Sequence, residues 1–246
     1  MSDIIELLKN DDEYYRGEGR KYLSNSDIGV LLNNPKDYGK VREDDKALAE
    51  GRLFHQLLLE PDKAKDVLSV DASTRTTKIY KDFLDDNGLS FCLLTKEVED
   101  IKELTKRMSG NIQFYDDIYM NGNKYEVPMV GDILGHKFKG KADIVSDGID
   151  ILIDLKTTSD INGFRYSAKK YNYDSQCYIY QTLFNKPLVF YVIDKATGQL
   201  GIFRPSEPFI MGGRDKVERA LQVWNKYFGP NPTEDIENHY IDEVLL

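Results

Sequence analysis

Between residues 124 and 158 the apolar positions fall on alternate residues, the period of a half-buried strand. "KYEVPMVGDI", "HKFKGKADIVS" and "IDILIDLKTT" read as three consecutive strands joined by short turns at "LGH" and "DGID". Before them the spacing is helical. "YLSNSDIGVLLNNPKDY" predicts a short helix, with Ser24 or Ser26 as N-cap and Pro35 just past its end. "KALAEGRLFHQLLLEP" predicts a helix from about Ala47 to Glu60, stopped near Pro61. "STRTTKIYKDFLDDNG" reads as a loop and then a helix ending at Gly88, and "LTKEVEDIKELTKRMSG" as a helix capped by Thr95 and closed by Gly110. After the strands come a helix at about 173–185, the strand "LVFYVID", a turn at "KATGQ" and the strand "LGIFRP". A last amphipathic helix lies in "GGRDKVERALQVWNKYFGP", and the acidic end after Pro230 is expected to be loosely held. Helices, a mostly antiparallel meander, a crossover helix and another strand make an α/β or α+β domain.

The turn at Asp147–Gly148 decides which side chains meet. A two-residue loop pairs Ser146 with Ile149 and makes Asp154 the diagonal neighbour of Asp143. A four-residue loop sets Asp143 directly opposite Asp154. Either puts Asp143, Asp154 and Lys156 on one face, with Ala142, Ile144, Ile151, Ile153 and Leu155 on the other; a three-residue loop would ruin both patterns. Two carboxylates forced together need a cation between or beside them. Lys156 is one candidate and a divalent metal another. Oxygen ligands suit Mg²⁺ or Mn²⁺, and a metal-activated water beside a lysine is equipment for phosphodiester hydrolysis. A surface Asp–Asp–Lys salt-bridge cluster would show the same residues.

Lys137, Lys139 and Lys141 share the face of Asp143. Two uses are open to them: a solvated strand face, or a phosphate track leading to the metal. Glu126, on the preceding strand, is either a further ligand or an ordinary polar residue. In "GRLFHQ" Arg52 and His55 share one helical face, while Gly51, Phe54 and Leu58 form a packing face. A lone helical His is more often a hydrogen-bonding residue than a ligand. In "YDSQCYIYQ" Gln176 and Tyr180 share a face; from spacing alone Tyr180 is a core tyrosine and Gln176 its exposed neighbour.

Composition narrows the classes. The 246 residues suffice for one large domain with its own core. We divide it into a helical part at about 1–110, a sheet core with flanking helices at 111–229, and an acidic tail at 230–246. Two cysteines, Cys92 and Cys177, are too few for a disulfide framework or a four-cysteine cluster. No apolar run approaches the roughly 18–20 residues of a membrane span, and the polar, acidic start is unlike a signal peptide. The expected location is cytoplasmic, the host cytoplasm if the chain is phage-encoded. A net charge of −9 argues against a nucleic-acid-coating protein but not against a nucleic-acid enzyme, which needs carboxylates for metals and only a local basic track.

Gly51-x-x-x-His55, Gly140-x-x-Asp143, Asp154-x-Lys156 and Gln176-x-x-x-Tyr180, in that order, resemble the RecB-type branch of the PD-(D/E)xK nuclease superfamily. The stretches "YLSNSDIGVLLNNPKDY", "ALAEGRLFHQLLLEP" and "STRTTKIYKDF" resemble the exodeoxyribonuclease VIII (RecE-type) exonucleases of phages and prophages. The likeness covers about residues 20–185. It implies an α/β restriction-endonuclease-like core, a mixed central sheet flanked by helices, with a helical N-terminal part. It also implies a Mg²⁺-dependent deoxyribonuclease, with Mn²⁺ substituting, that degrades linear duplex DNA from its ends, 5′ to 3′, in phage-type recombination. By resemblance His55, Asp143, Asp154 and the Leu155 carbonyl would ligate metal, with Glu126 as an outer or second-metal ligand. Lys156 would position or activate the attacking water, and Gln176 and Tyr180 would support the site and contact DNA. Arg52 could hold a terminal phosphate, and Arg75 and Lys78 guide DNA, as would Lys139 and Lys141 if they form the track. A homo-oligomeric ring and a single-strand annealing recombinase partner are also implied. The proline of the superfamily's name is replaced by Ala142. With two cysteines the chain is expected to lack the iron–sulfur cluster of some relatives. Rival readings are a structure-specific or restriction-like endonuclease and a catalytically silent DNA-binding protein on the same fold.

Overall fold

The computed structural model describes residues 2–40 and 43–241. Its helices are α1 (Ser2–Leu7), α2 (Asp11–Tyr15), α3 (Asn25–Asn33), α4 (Lys46–Leu59), α5 (Pro61–Ala64), α6 (Lys78–Asn87), α7 (Thr95–Ser109), α8 (Ile112–Ile118), α9 (Phe164–Lys170), α10 (Tyr173–Phe184) and α11 (Glu207–Tyr227). Its strands are β1 (Ser69–Val70), β2 (Leu93–Leu94), β3 (Lys124–Ile133), β4 (His136–Ser146), β5 (Ile151–Thr158), β6 (Leu188–Asp194) and β7 (Leu200–Phe203). β1 and β2 form a small parallel pair, and the other five form one sheet in the order β3-β4-β5-β6-β7. Within the five-stranded sheet β5 and β6 run parallel, bridged by α9 and α10, and its other pairs are antiparallel.

Local chemistry explains the boundaries that matter to function. Asp45 caps α4 by accepting the Leu48 N–H at 2.8 Å. Pro61, expected as a stop, is also the first residue of α5, where its missing N–H costs nothing. Thr95 is the first residue of α7 rather than its cap; the Glu97 carboxylate takes the Leu94 N–H at 2.9 Å instead. Leu134 and Gly135 both have positive φ, 51° and 78°, so β3 and β4 join through a two-residue turn whose twist matches the strands.

One face of the sheet packs Ile144, Ile153, Leu155 and Tyr191 on Leu53, Phe54, Leu104 and Met108 from α4 and α7. The other packs Val145, Leu152 and Phe190 on Phe164 and Cys177 from α9 and α10. A third layer sets α3 and α11 against α10 through Ile28, Leu31, Ile179, Val217 and Leu221. Each such side chain contributes about 1.5–3 kcal/mol by leaving water, so the N-terminal helices are anchored to the sheet.

The "DGID" loop has four residues: Ser146 pairs with Ile151, Val145 with Leu152 and Ile144 with Ile153. There the ladder stops, one step before Asp143 and Asp154. The expected flat face is therefore wrong in two respects. Asp143 meets His55 from the α4 side, while Asp154 meets Gln176 from the α10 side. Ala142 does not share the core of Ile144 but packs with Val145 and Leu152. Alternation breaks at Asp143, where the strands part and the pleat is interrupted, as at a bulge. β3 is kinked at the matching point: Glu126 stands at φ 48° between the pairs Tyr125–Ile144 and Val127–Ala142. Gly51 was expected on the packing face of α4, yet a methyl group there would meet nothing within 4 Å. The tail is tied down in part, since Lys226 pairs with Glu234 at 2.9 Å and Lys36 reaches the Glu237 carbonyl at 3.1 Å. Its last five residues lie outside the described chain.

Candidate active site

The parting of β4 and β5 opens a seam into which five elements point polar side chains. Asp143 turns its Oδ2 to the Leu155 N–H at 2.7 Å, replacing the lost ladder bond. Phe54 and Leu58 hold α4 against the core and so bring His55 over the same seam. His55 Nε2 lies 2.9 Å from the Leu155 carbonyl, and its Nδ1 lies 3.5 Å from Asp143 Oδ1. Glu126 enters from the kink in β3. One ligand atom from each of His55, Glu126 and Asp143 lies within 4.8 Å of the others.

A positive φ in a non-glycine strand residue is an unfavourable conformation of the kind that persists where the surroundings enforce it, commonly at functional sites. Here it aims Glu126 at two other acids. Burial pushes the Glu126 carboxyl up to about 8, helped by the charges of Asp143 and Glu60. Two oxygens and an imidazole, two of the three residues half-buried and Asp143 buried, suit a divalent metal with mixed O/N preference. The residues fit a metal, and a bound cation would restore the ionised form of Glu126.

Asp154, expected as a fourth ligand, stands outside this triad. It is buried, and its Oδ1 accepts from Gln176 Nε2 at 2.6 Å. Lys156 Nζ is 2.5 Å from Oδ2, close enough for an ion pair but off the angle of a hydrogen bond, so Oδ2 keeps an unused acceptor. Burial pushes Asp154 up to about 6 against the pull of Lys156, and the Asp143 charge adds to the rise. Burial opposes the charge on Lys156, but Asp154 above all holds its pKa well above the ordinary value. Lys156 is therefore an ammonium at neutral pH. Its Nζ lies 4.9 Å over the Tyr173 ring, a contact absent from the expected site. The signal was available: Tyr173 is three residues before Gln176 on the same helix. Gln176 is buried, not exposed, because Asp154 needs its amide. The Tyr180 hydroxyl bonds the backbone of Lys141 on both sides, at 3.1 and 3.3 Å. Its ring covers Gly140, where a Cβ would come within 2.9 Å of it.

The expected DNA contacts divide. Lys139 and Lys141 are buried under α2 and do not form an open track. Lys139 donates to the Tyr14 carbonyl at 2.5 Å, Lys141 pairs with Asp11 at 2.5 Å, and both ammonium groups lie over the Tyr14 ring. Burial lowers the Lys139 pKa to about 8. Lys137 is exposed. Arg52 is exposed one turn from His55 but held by Asp44 at 2.7 and 3.2 Å. Arg75 is engaged in a salt bridge with Glu97, 2.5 and 3.0 Å, that draws the Glu97 carboxyl down to about 2 despite its burial. Lys78 is exposed at the start of α6. His136 bonds Asn225 at 3.0 Å and His239 faces Tyr227 at 3.3 Å, so neither joins His55.

A family model described as a PDDEXK-like domain of unknown function (DUF3799) matches residues 31–238. The chain belongs to this family. Among solved structures, a provisionally named exonuclease from Eubacterium rectale superposes with a TM-score of 0.63 at 19% identity, over 96% of both chains. The fold is thus the α/β fold of PD-(D/E)xK nucleases. A phage-related exonuclease from Haemophilus somnus shares 16% identity over 65% of this chain and 95% of its own, with a TM-score of 0.34. None of the curated proteins matches the sequence. No helix of the described residues is long and apolar enough to cross a membrane.

Proposed function

We propose that this PDDEXK-like protein is a Mg²⁺-dependent deoxyribonuclease of the RecE type that degrades linear duplex DNA from its ends, 5′ to 3′. The observation that carries the reading is the convergence of His55, Glu126 and Asp143 within 4.8 Å, beside the buried Asp154–Lys156 pair. When bound, a divalent ion supplies a nucleophile at neutral pH and neutralises charge on the reacting phosphate. His55, Glu126 and Asp143 would hold it, with the Leu155 carbonyl as a further donor.

The chain's own residues do the rest. Lys156, as an ammonium, does not take a proton; it donates a hydrogen bond to the attacking oxygen and offsets the charge that grows on the phosphoryl oxygens. Asp154 keeps Lys156 charged and fixes its direction, and Gln176 fixes Asp154. Tyr180 holds β4 at Lys141, next to Asp143. By resemblance the proposal extends to a homo-oligomeric ring and an annealing recombinase partner.

Digestion of 5′-labelled linear duplex beside a closed circle, with Mg²⁺ and with EDTA, tests it. Linear DNA shortened from its 5′ ends only with Mg²⁺, and an intact circle, are expected. A cut circle would replace the exonuclease with an endonuclease. No cleavage with Mg²⁺ or Mn²⁺ would leave a DNA-binding protein on a nuclease fold.

A further inference from the structure

Helix α9 lies between the Asp154–Lys156 strand and the Gln176 helix. It is anchored by Phe164 and Ala168, which are buried four residues apart. Its other face carries Arg165, Tyr166, Lys169 and Lys170, all exposed, and Tyr171 follows at the corner. In a chain of net charge −9, residues 162–173 hold three cations, three tyrosines and no acid.

Among the described residues none of these three cations has a carboxylate partner. Two of them lie over rings instead, Arg165 4.7 Å above Tyr166 and Lys170 5.9 Å from the Tyr171 centroid. The carboxylates that flank the segment are engaged: Asp160 accepts the Asn162 N–H, and Asp174 is buried on Lys216 at 2.9 Å. Tyr166 is 68% and Tyr171 58% exposed, so both rings offer surface to a ligand. The rings are also continuous with the seam. Tyr171 lies 6.1 Å from Tyr173, and the Tyr173 ring carries Lys156 Nζ at 4.9 Å.

Cations without acids suit phosphates, and rings with free faces suit bases; the two interleaved suit one unpaired nucleic-acid strand. An acidic peptide would use the cations and leave Tyr166 and Tyr171 idle. We propose that the exposed face of α9 and the Tyr171 corner bind a single DNA strand. Bases stack on Tyr166 and Tyr171, and phosphates meet Arg165, Lys169 and Lys170, so that one strand of the substrate is held apart beside Lys156. This rests on the nuclease reading of the seam.

The test is the anisotropy of fluorescein-labelled oligothymidylate with wild type, Tyr166→Ala/Tyr171→Ala and Lys169→Ala/Lys170→Ala. It is run in EDTA over a salt series, with wild-type cleavage of linear duplex scored separately in Mg²⁺. The tyrosine variant should bind about tenfold or more weakly, with the salt slope kept. The lysine variant should flatten the slope of log K on log salt by about 1.4, two phosphates' worth for a single strand. Wild-type affinity and slope in both variants would overturn the proposal even if wild type cleaves duplex. Loss in the lysine variant alone would overturn it too, leaving a plain electrostatic patch. Loss in both, with no cleavage by wild type, would keep the strand site and remove the nuclease.

Discussion

Asp143 and Asp154 flank one seam, yet the fold treats them differently. Asp154 is neutralised from within: Gln176 holds one oxygen and Lys156 faces the other, both from the α10 side of the sheet. Asp143 meets His55 and Glu126 from the α4 side, and among the described residues no lysine or arginine forms an ion pair with this trio, although the Lys141 charge acts on Glu126. The self-neutralised half can orient a reacting group as it stands. The acid-rich half is completed only by an ion from outside, which is why we assign it the metal. Asymmetry of this kind separates a metal site from a salt-bridge cluster, where every acid would have its own lysine.

The largest expected effect comes from the neutral half. Lys156→Ala should lower Mg²⁺-dependent cleavage by about 10²–10³-fold, the scale of losing one pre-organised donor to the reacting oxygen. Single-turnover rates at saturating DNA measure it. A smaller effect follows from Gln176→Ala, which frees Asp154 Oδ1 and lets its carboxylate turn. About a 10–100-fold loss is expected, as for residues that orient a ligand or catalytic group; an unchanged rate would make Gln176 mere packing.

The smallest effect is thermodynamic and belongs to the acidic half. Glu126 is raised from its ordinary value to about 8, so the folded, metal-free protein holds a proton there that the unfolded chain releases near pH 4–5. That contribution to stability is present below the unfolded pKa and is lost as pH rises through about 8. Melting of the EDTA-treated protein should therefore fall between pH 5 and 8, with Asp154, raised to about 6, adding to the lower part of the window. Glu126→Gln should flatten the upper part, and Mg²⁺ or Mn²⁺ should restore wild-type stability. A melting temperature that rises over this range would reverse the assignment of the acidic half.

Much of this was legible in the sequence. Alternation located β3, β4 and β5, and the even "DGID" loop set the register that ends at Ile144–Ile153, one step before Asp143 and Asp154. What period-2 spacing cannot report is what lies on a strand. Lys139 and Lys141 were placed on the right side of β4, but α2, more than a hundred residues earlier, closes over them through Tyr14 and Asp11. The open basic surface is instead at "FRYSAKKYNY", where helix α9 keeps its cations outward. Glu126 was left between ligand and bystander because its role depends on a backbone angle that no residue pattern encodes. Gln176 looked exposed for a similar reason: its partner Asp154 is 22 residues away and meets it only when β5 and α10 pack.

The most direct test of a metal centre split from its lysine is to score Mn²⁺ binding and DNA cleavage in the same samples of Asp143→Ala and Lys156→Ala. Electron paramagnetic resonance of free Mn²⁺ reads the first, and release of labelled nucleotides from linear duplex the second. The account predicts that Lys156→Ala binds Mn²⁺ as wild type does without cleaving, and that Asp143→Ala does neither. Wild-type Mn²⁺ affinity in Asp143→Ala, or cleavage at the wild-type rate in Lys156→Ala, would contradict it.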